Sequence, residues 1–176
     1  ADITAKSLTV SGITASNKIY DGNTVATLDP IGVTYSGLVP GDSFAGSYSG
    51  SFSDKNIGTG KTVTITSSYS GSDVSNYTVT DQSSTTANIT SRPLDVTGIT
   101  VFGLTVNNKE YDGTVTAPLK TDNISYSGLV DGDDFTGSYS GVFANANVGN
   151  NKTVTITSTY SGADAGNYTV TDQSTT

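Results

Sequence analysis

The second half of this chain repeats the first. Laid over one another without a gap, Tyr20–Ser83 and Tyr111–Ser174 are identical at about 40 of 64 positions, which sets a repeat period of roughly 90 residues. The chain is therefore an array of two modules rather than one domain. The opening ADITAKSLTV is matched again by ANITSRPLDV, which places the modules at residues 1–86 and 87–176, with the boundary near Thr86. A module of this size buries only about 60 to 70% of the surface its unfolded chain exposes, so its core is modest and adjacent copies are expected to support one another.

The residues that recur in register decide the class of fold. Val, Ile, Leu and Tyr supply most of the apolar content in a background of Thr, Ser, Gly, Asn and Asp, a composition that favours strands over helices. Low hydrophobicity with a net charge of −8 points toward disorder, but the aromatic and β-branched positions repeat between the copies, as a packed module requires. In KTVTIT, Val63 and Ile65 fall on one face and Thr62, Thr64 and Thr66 on the other, and Val154 and Ile156 repeat the alternation. NYTVT adds Tyr77 with Val79, and Tyr168 with Val170. In FAGSYSGSF, Phe44, Gly46, Tyr48, Gly50 and Phe52 share one parity, as do Phe135, Gly137, Tyr139, Gly141 and Phe143, so rings are expected to lie across neighbouring glycines.

The expected fold is all-β: two tandem small β-sandwich modules, immunoglobulin-like and built from short antiparallel strands, in a rod-like arrangement. A reduced β-grasp is the alternative. SGLVPGDSF separates the two, since a helix there, packed across one sheet, supports the grasp. The junction DQSSTTANITSRPLDVTGIT lacks a flexible Gly/Ser run, and Pro93 biases Arg92 toward an extended backbone, so a stiff, strand-like connection is expected. After Gly98 the second copy is five residues longer, and Phe102 and Leu104 would form any contact surface specific to it.

Composition also narrows function. Eight Lys plus Arg, scattered through an acidic chain, provide no footprint for a phosphate backbone, so nucleic acid is not an expected partner. There is no apolar run near the roughly 20 residues of a membrane helix, so no membrane insertion is expected, and no basic-then-apolar start like that of a signal peptide; the chain reads as an interior piece of something longer. With neither His nor Cys, a catalytic constellation would have to come from Ser, Lys, Tyr, Asp or the single Glu110, and none is arranged for it. Catalysis needs one well-placed set of groups, whereas reach, avidity and stiffness grow with copy number, so the duplication favours a mechanical or adhesive role over an enzyme.

Three residue sets are candidates for a site. Asp73, Asp81, Asp131, Asp133, Asp134, Asp164 and Asp172 are hard oxygen ligands in loops and could hold Ca²⁺, the one cofactor considered; none has EF-hand spacing, and soluble turn residues that accept local backbone hydrogen bonds are the favoured reading. Lys18, Asn76 and Asp21, with Lys109, Asn167 and Asp112, are a second set. They could join Lys to Asn through an isopeptide bond assisted by an acid if they met in the core, a route to toughness in a chain without disulfides. Tyr48, Tyr69, Phe102, Tyr139 and Tyr160 form the third, an aromatic patch for a sugar or a surface protein if the rings face solvent.

NKIYDGNTVATL and NKEYDGTVTAPL, each followed by KNIGTGKTVTI or NVGNNKTVTI and then NYTVTDQS, resemble the YDG domain family of bacterial surface proteins across almost all of both modules. The naming residues correspond directly: Tyr20, Asp21 and Gly22, and Tyr111, Asp112 and Gly113. Asp before Gly suits a tight turn with positive φ, while the Tyr ring packs and its hydroxyl finds a partner. The resemblance implies tandem copies in large adhesins and filamentous haemagglutinin-like proteins of Gram-negative bacteria. It also implies a non-catalytic stalk on the cell surface, outside the cell, whose partners are neighbouring repeats of the same polypeptide. The rival reading is an adhesive module with a host or surface glycan as partner.

Overall fold

In a computed structural model the chain divides into two compact units, Ala1–Thr90 and Ser91–Thr176. The structure describes residues 1–98, 100–101 and 109–176, so the expectation for Phe102 and Leu104 lies outside the described residues.

The first unit contains β1 (Lys6–Ser11), β2 (Thr14–Ala15), β3 (Lys18–Ile19), β4 (Val25–Ala26), β5 (Leu28–Asp29), β6 (Thr34–Ser36), β7 (Ala45–Phe52), β8 (Gly58–Ser70), β9 (Tyr77–Thr80) and β10 (Ser84–Thr90). They form a three-stranded sheet in the order β6-β1-β9, a five-stranded sheet in the order β3-β10-β8-β7-β4, and the small pair β2-β5. The larger sheets face each other. Leu8 and Val10 of β1, Ile13, Ile65 of β8 and Tyr77 of β9 share one buried core, against which Leu28, Val33, Tyr35, Leu38, Phe44, Tyr48, Tyr69 and Val79 pack. This is the sandwich, with period-two alternation pointing Val63 and Ile65 inward and the intervening threonines to water.

The second unit repeats the plan. Its strands are β11 (Arg92–Thr97), β12 (Thr100–Val101), β13 (Thr116–Ala117), β14 (Leu119–Lys120), β15 (Ser125–Ser127), β16 (Thr136–Phe143), β17 (Val154–Ser161) and β18 (Tyr168–Thr171). The sheets run β15-β11-β18 and β13-β16-β17, with the pair β12-β14. Leu94, Val96, Val154 and Ile156 are buried at positions matching Leu8, Val10, Val63 and Ile65.

Two expectations meet the structure directly. The sheets are mixed, not purely antiparallel: β1 runs parallel to β9, from Lys6 opposite Tyr77 to Thr9 opposite Thr80, β11 runs parallel to β18, and β10 runs parallel to β3. Most of the unit separates β1 from β9 in sequence, a connection long enough to cross over. The SGLVPGDSF segment is not helical. It forms two successive turns, closed by Leu38 N–H to Tyr35 C=O and Asp42 N–H to Val39 C=O, so the grasp alternative loses the helix it needed. Among the described residues the only helical turns are the 3-10 segments Val74–Asn76 and Ala165–Asn167. The first unit runs to Thr90, β10 completing it by pairing with β8 and β3.

Candidate functional site

Each unit offers the same three constellations. The first is the turn that carries Tyr-Asp-Gly. Gly22 sits at φ 79° and Gly113 at φ 77°, a backbone that other residues adopt only with strain. Lys18 sets the geometry of the turn. Its Nζ donates to Asp21 Oδ1 at 2.7 Å, to Asn23 C=O at 2.8 Å, to Asn23 Oδ1 at 3.0 Å and to Val25 C=O at 3.1 Å, and lies 5.6 Å from the Phe52 ring centroid. Asp21 and Asn23 in turn accept the N–H groups of Asn23 and Val25. Lys109 builds the equivalent with Asp112 at 2.8 Å, Thr114 C=O at 2.9 Å, Thr114 Oγ1 at 2.7 Å and Thr116 C=O at 3.1 Å, beneath the Phe143 ring. Thr114 thus takes Asn23's place as an acceptor for the lysine and donates its own hydroxyl to Asp112 at 2.9 Å.

The turns differ in electrostatics. Partial burial raises the Asp21 carboxyl, but the hydrogen bonds from Lys18 and the Asn23 backbone, with the Lys18 charge, outweigh it and leave the group below the usual carboxylate range. At Asp112 the Lys109 hydrogen bond dominates, and the Thr114 backbone adds to it, bringing the carboxyl to about 2.

Of the cross-linking set, the structure therefore joins Lys18 with Asp21 and Lys109 with Asp112, but no acceptor of either ammonium is Asn76 or Asn167. Asn76 closes a 3-10 turn, its N–H bonded to Asp73 C=O at 3.0 Å, and lines a shallow groove with Ile3, Lys6 and Tyr77. Asn167 is buried in the matching turn, bonded to Asp164 C=O.

The acidic set is the second constellation, and its carboxylates are dispersed. Asp73 accepts Ser43 N–H at 2.8 Å and Asp164 accepts Asp134 N–H at 3.1 Å, each stitching two loops, while Asp134 accepts Ala163 N–H at 2.9 Å. Asp81 accepts the Tyr69 hydroxyl and Asp172 that of Tyr160. Asp133 accepts the Tyr168 hydroxyl at 2.6 Å, as Asp42 accepts that of Tyr77 at 2.5 Å. Among the described residues no three acidic side chains gather closely enough to hold a metal ion, Asp131 included.

The aromatic rings are the third constellation, and they join the two sheets. Phe44 meets Tyr35 edge-on at 5.3 Å, Tyr69 at 5.1 Å and Tyr77 at 5.8 Å, while Tyr48 meets Tyr69 at 6.4 Å. Phe135 holds Tyr126, Tyr160 and Tyr168 in the same way, and Tyr139 meets Tyr160. The Tyr35 and Tyr48 hydroxyls bond to each other at 2.9 Å, and those of Tyr126 and Tyr139 at 2.8 Å. The expected covering of glycine by rings is present at Gly46, where a Cβ would lie 2.1 Å from the Tyr48 hydroxyl, and at Gly137, where it would meet Tyr139, but Gly50 and Gly141 are covered by Leu28 and Leu119 instead. Tyr48, Tyr69, Tyr139 and Tyr160 are half-buried in both copies, and Phe102 is outside the described residues.

Their hydroxyls are held protonated. Burial, then the bond from Tyr35, pushes Tyr48 upward, and Tyr139 follows for the same reasons with Tyr126. Burial and the bond to Asp81 bring Tyr69 to about 12. Sequence reasoning passed over Tyr35 and Tyr126, the partners of these hydroxyls. The recurrence of YSGLV ahead of each FxGSYSG was the available signal. It also passed over Gln82, whose amide clasps the backbone of Ile13 by accepting from its N–H at 2.9 Å and donating to its C=O at 2.7 Å.

A family model described as YDG domain matches residues 4–87 and again 93–176. Neither the curated proteins nor the solved structures contain a match.

Proposed function

The chain belongs to the YDG domain family, with two copies in tandem, and from that premise we infer that it is a non-catalytic structural repeat, a stalk or extender segment of a bacterial cell-surface adhesin. In this reading it spaces a distal adhesive tip from the cell and supports adhesion or biofilm formation, outside the cell and without a cofactor.

One observation carries the reading. The first long strand of each unit is the middle strand of its sheet, held on one side by a parallel partner near the end of the unit: β1 by β9 and β11 by β18. Tension applied at the start of such a strand and at the end of its parallel partner loads the whole ladder in shear. The bonds must then fail together, whereas a hairpin opens one bond at a time. The aromatic rings support the same reading, since in both copies their hydroxyls bond to one another and in the first unit they pack against the sandwich core.

Binding discriminates this function from the adhesive alternative. The chain on a biosensor surface, presented with a glycan array and with extracellular-matrix proteins, is expected to show no saturable binding. Saturable binding removed by Tyr48→Ala or Tyr139→Ala would transfer the function to the aromatic patch.

A further inference from the structure

Each unit holds a pair of tyrosines whose hydroxyls meet across the sandwich. Tyr35 lies on β6 and Tyr48 on β7, strands of different sheets, and their hydroxyl oxygens are 2.9 Å apart. Tyr126 on β15 and Tyr139 on β16 repeat the arrangement at 2.8 Å. A glycine makes the room. A Cβ on Gly46 would lie 2.1 Å from the Tyr48 hydroxyl and 2.8 Å from that of Tyr35, and a Cβ on Gly137 would lie 2.8 Å from the Tyr126 hydroxyl and against that of Tyr139. The other tyrosines of each cluster turn their hydroxyls to carboxylates instead: Tyr69 to Asp81 and Tyr77 to Asp42, Tyr160 to Asp172 and Tyr168 to Asp133. All four paired rings are half-buried, so an oxidant in solution reaches an edge of each while the hydroxyl ends stay engaged with one another.

A tyrosine that loses an electron and its hydroxyl proton becomes a phenoxyl radical, with unpaired spin on the oxygen and on the two Cε carbons beside it. Two such rings bond through the atoms that carry the spin. Hydroxyls in hydrogen-bond contact bring those atoms together, whereas the edge-on contact of Tyr48 with Tyr69, with ring centroids 6.4 Å apart and the Tyr69 hydroxyl engaged by Asp81, does not. We propose that Tyr35 with Tyr48, and Tyr126 with Tyr139, are oxidative coupling sites, each pair joining Cε to Cε as a dityrosine when hydrogen peroxide and a haem peroxidase supply the oxidation. Each ring gives up one electron and one proton, the Cε–Cε bond forms, and each Cε–H proton then moves to the oxygen and restores the phenol. The two electrons and two protons released per pair reduce one hydrogen peroxide to two waters. The product ties β6 to β7 and β15 to β16, a covalent link between sheets that a chain without cysteine cannot obtain from a disulfide. Coupling follows from the ring geometry alone, whatever the chain does as a whole.

Brief treatment of the dilute full chain with a haem peroxidase and hydrogen peroxide, read by intact mass and peptide mapping, tests it. The expected product is a monomer lighter by two hydrogens for each pair, whose cross-linked peptides join Tyr35 to Tyr48 and Tyr126 to Tyr139. Tyr35→Phe should remove the first link and halve the mass loss, and Tyr126→Phe the second, in variants that keep the circular dichroism of the parent. Treatment in urea should replace the two links by scattered ones, because the fold is what brings the rings together. Links among other tyrosines or between chains in place of these two overturn the proposal, as does an unchanged mass in a tube where a free tyrosine peptide couples. So does a mass loss that both phenylalanine variants leave intact.

Discussion

Lys18 and Lys109 show how much one side chain can decide in a small module. Each reaches back over its own turn and satisfies carbonyls and a carboxylate that would otherwise face water only in part. Lys18→Met keeps the stem against Phe52 and removes the donors, so it should destabilise the first unit by about 1–3 kcal/mol in chemical denaturation, more than an exposed ion pair is worth. Acid tests the second turn. Asp112 is held near 2 when folded against about 3.9 unfolded, so its contribution is complete above pH about 4 and lost as pH falls toward about 2. The melting temperature of the second unit should drop across that window, and Asp112→Asn should flatten the drop. At this scale the sequence was legible where chemistry is local. Asp-Gly after Tyr announced its turn, but the lysine three residues earlier was read as half of a cross-link because spacing alone cannot show which acceptors surround an ammonium.

At the scale of elements, the alternation of Val63 with Ile65 and of Tyr48 with its flanking glycines was readable because side-chain direction in a strand follows from parity alone. Strand partners were not readable. Nothing local in Lys6–Ser11 tells that its neighbour is β9 and that the two run parallel, since that choice is made by the whole unit. The hydroxyl pair of Tyr35 and Tyr48, from strands of opposite sheets, is likewise a product of pairing. A double-mutant cycle isolates it. Tyr35→Phe leaves a half-buried hydroxyl without its partner and should cost about 1 kcal/mol, while Tyr35→Phe with Tyr48→Phe should cost less than the sum of the single changes. Alkali provides a spectroscopic check on the same rings. Tyr69 ionises near 12 when folded and near 10 when unfolded, so the stability it confers is intact below pH about 10 and lost as pH rises toward about 12. Tyrosinate absorbance should therefore lag until the sandwich opens.

The whole molecule is a repeated solution to one problem, the building of a cohesive β unit without disulfides, from rings, hydroxyls and capped turns. Family membership and the duplicated plan are visible in the residues themselves, whereas the resistance to tension that the proposed stalk role requires would depend on which strands lie side by side. Stretching single molecules of the chain between its ends tests that dependence most directly. The account predicts two separate force peaks, each releasing about 30 nm as one unit of extended chain is freed, at forces well above those that open a hairpin bond by bond. Smooth extension without peaks, or yielding at hairpin-like forces, would contradict it.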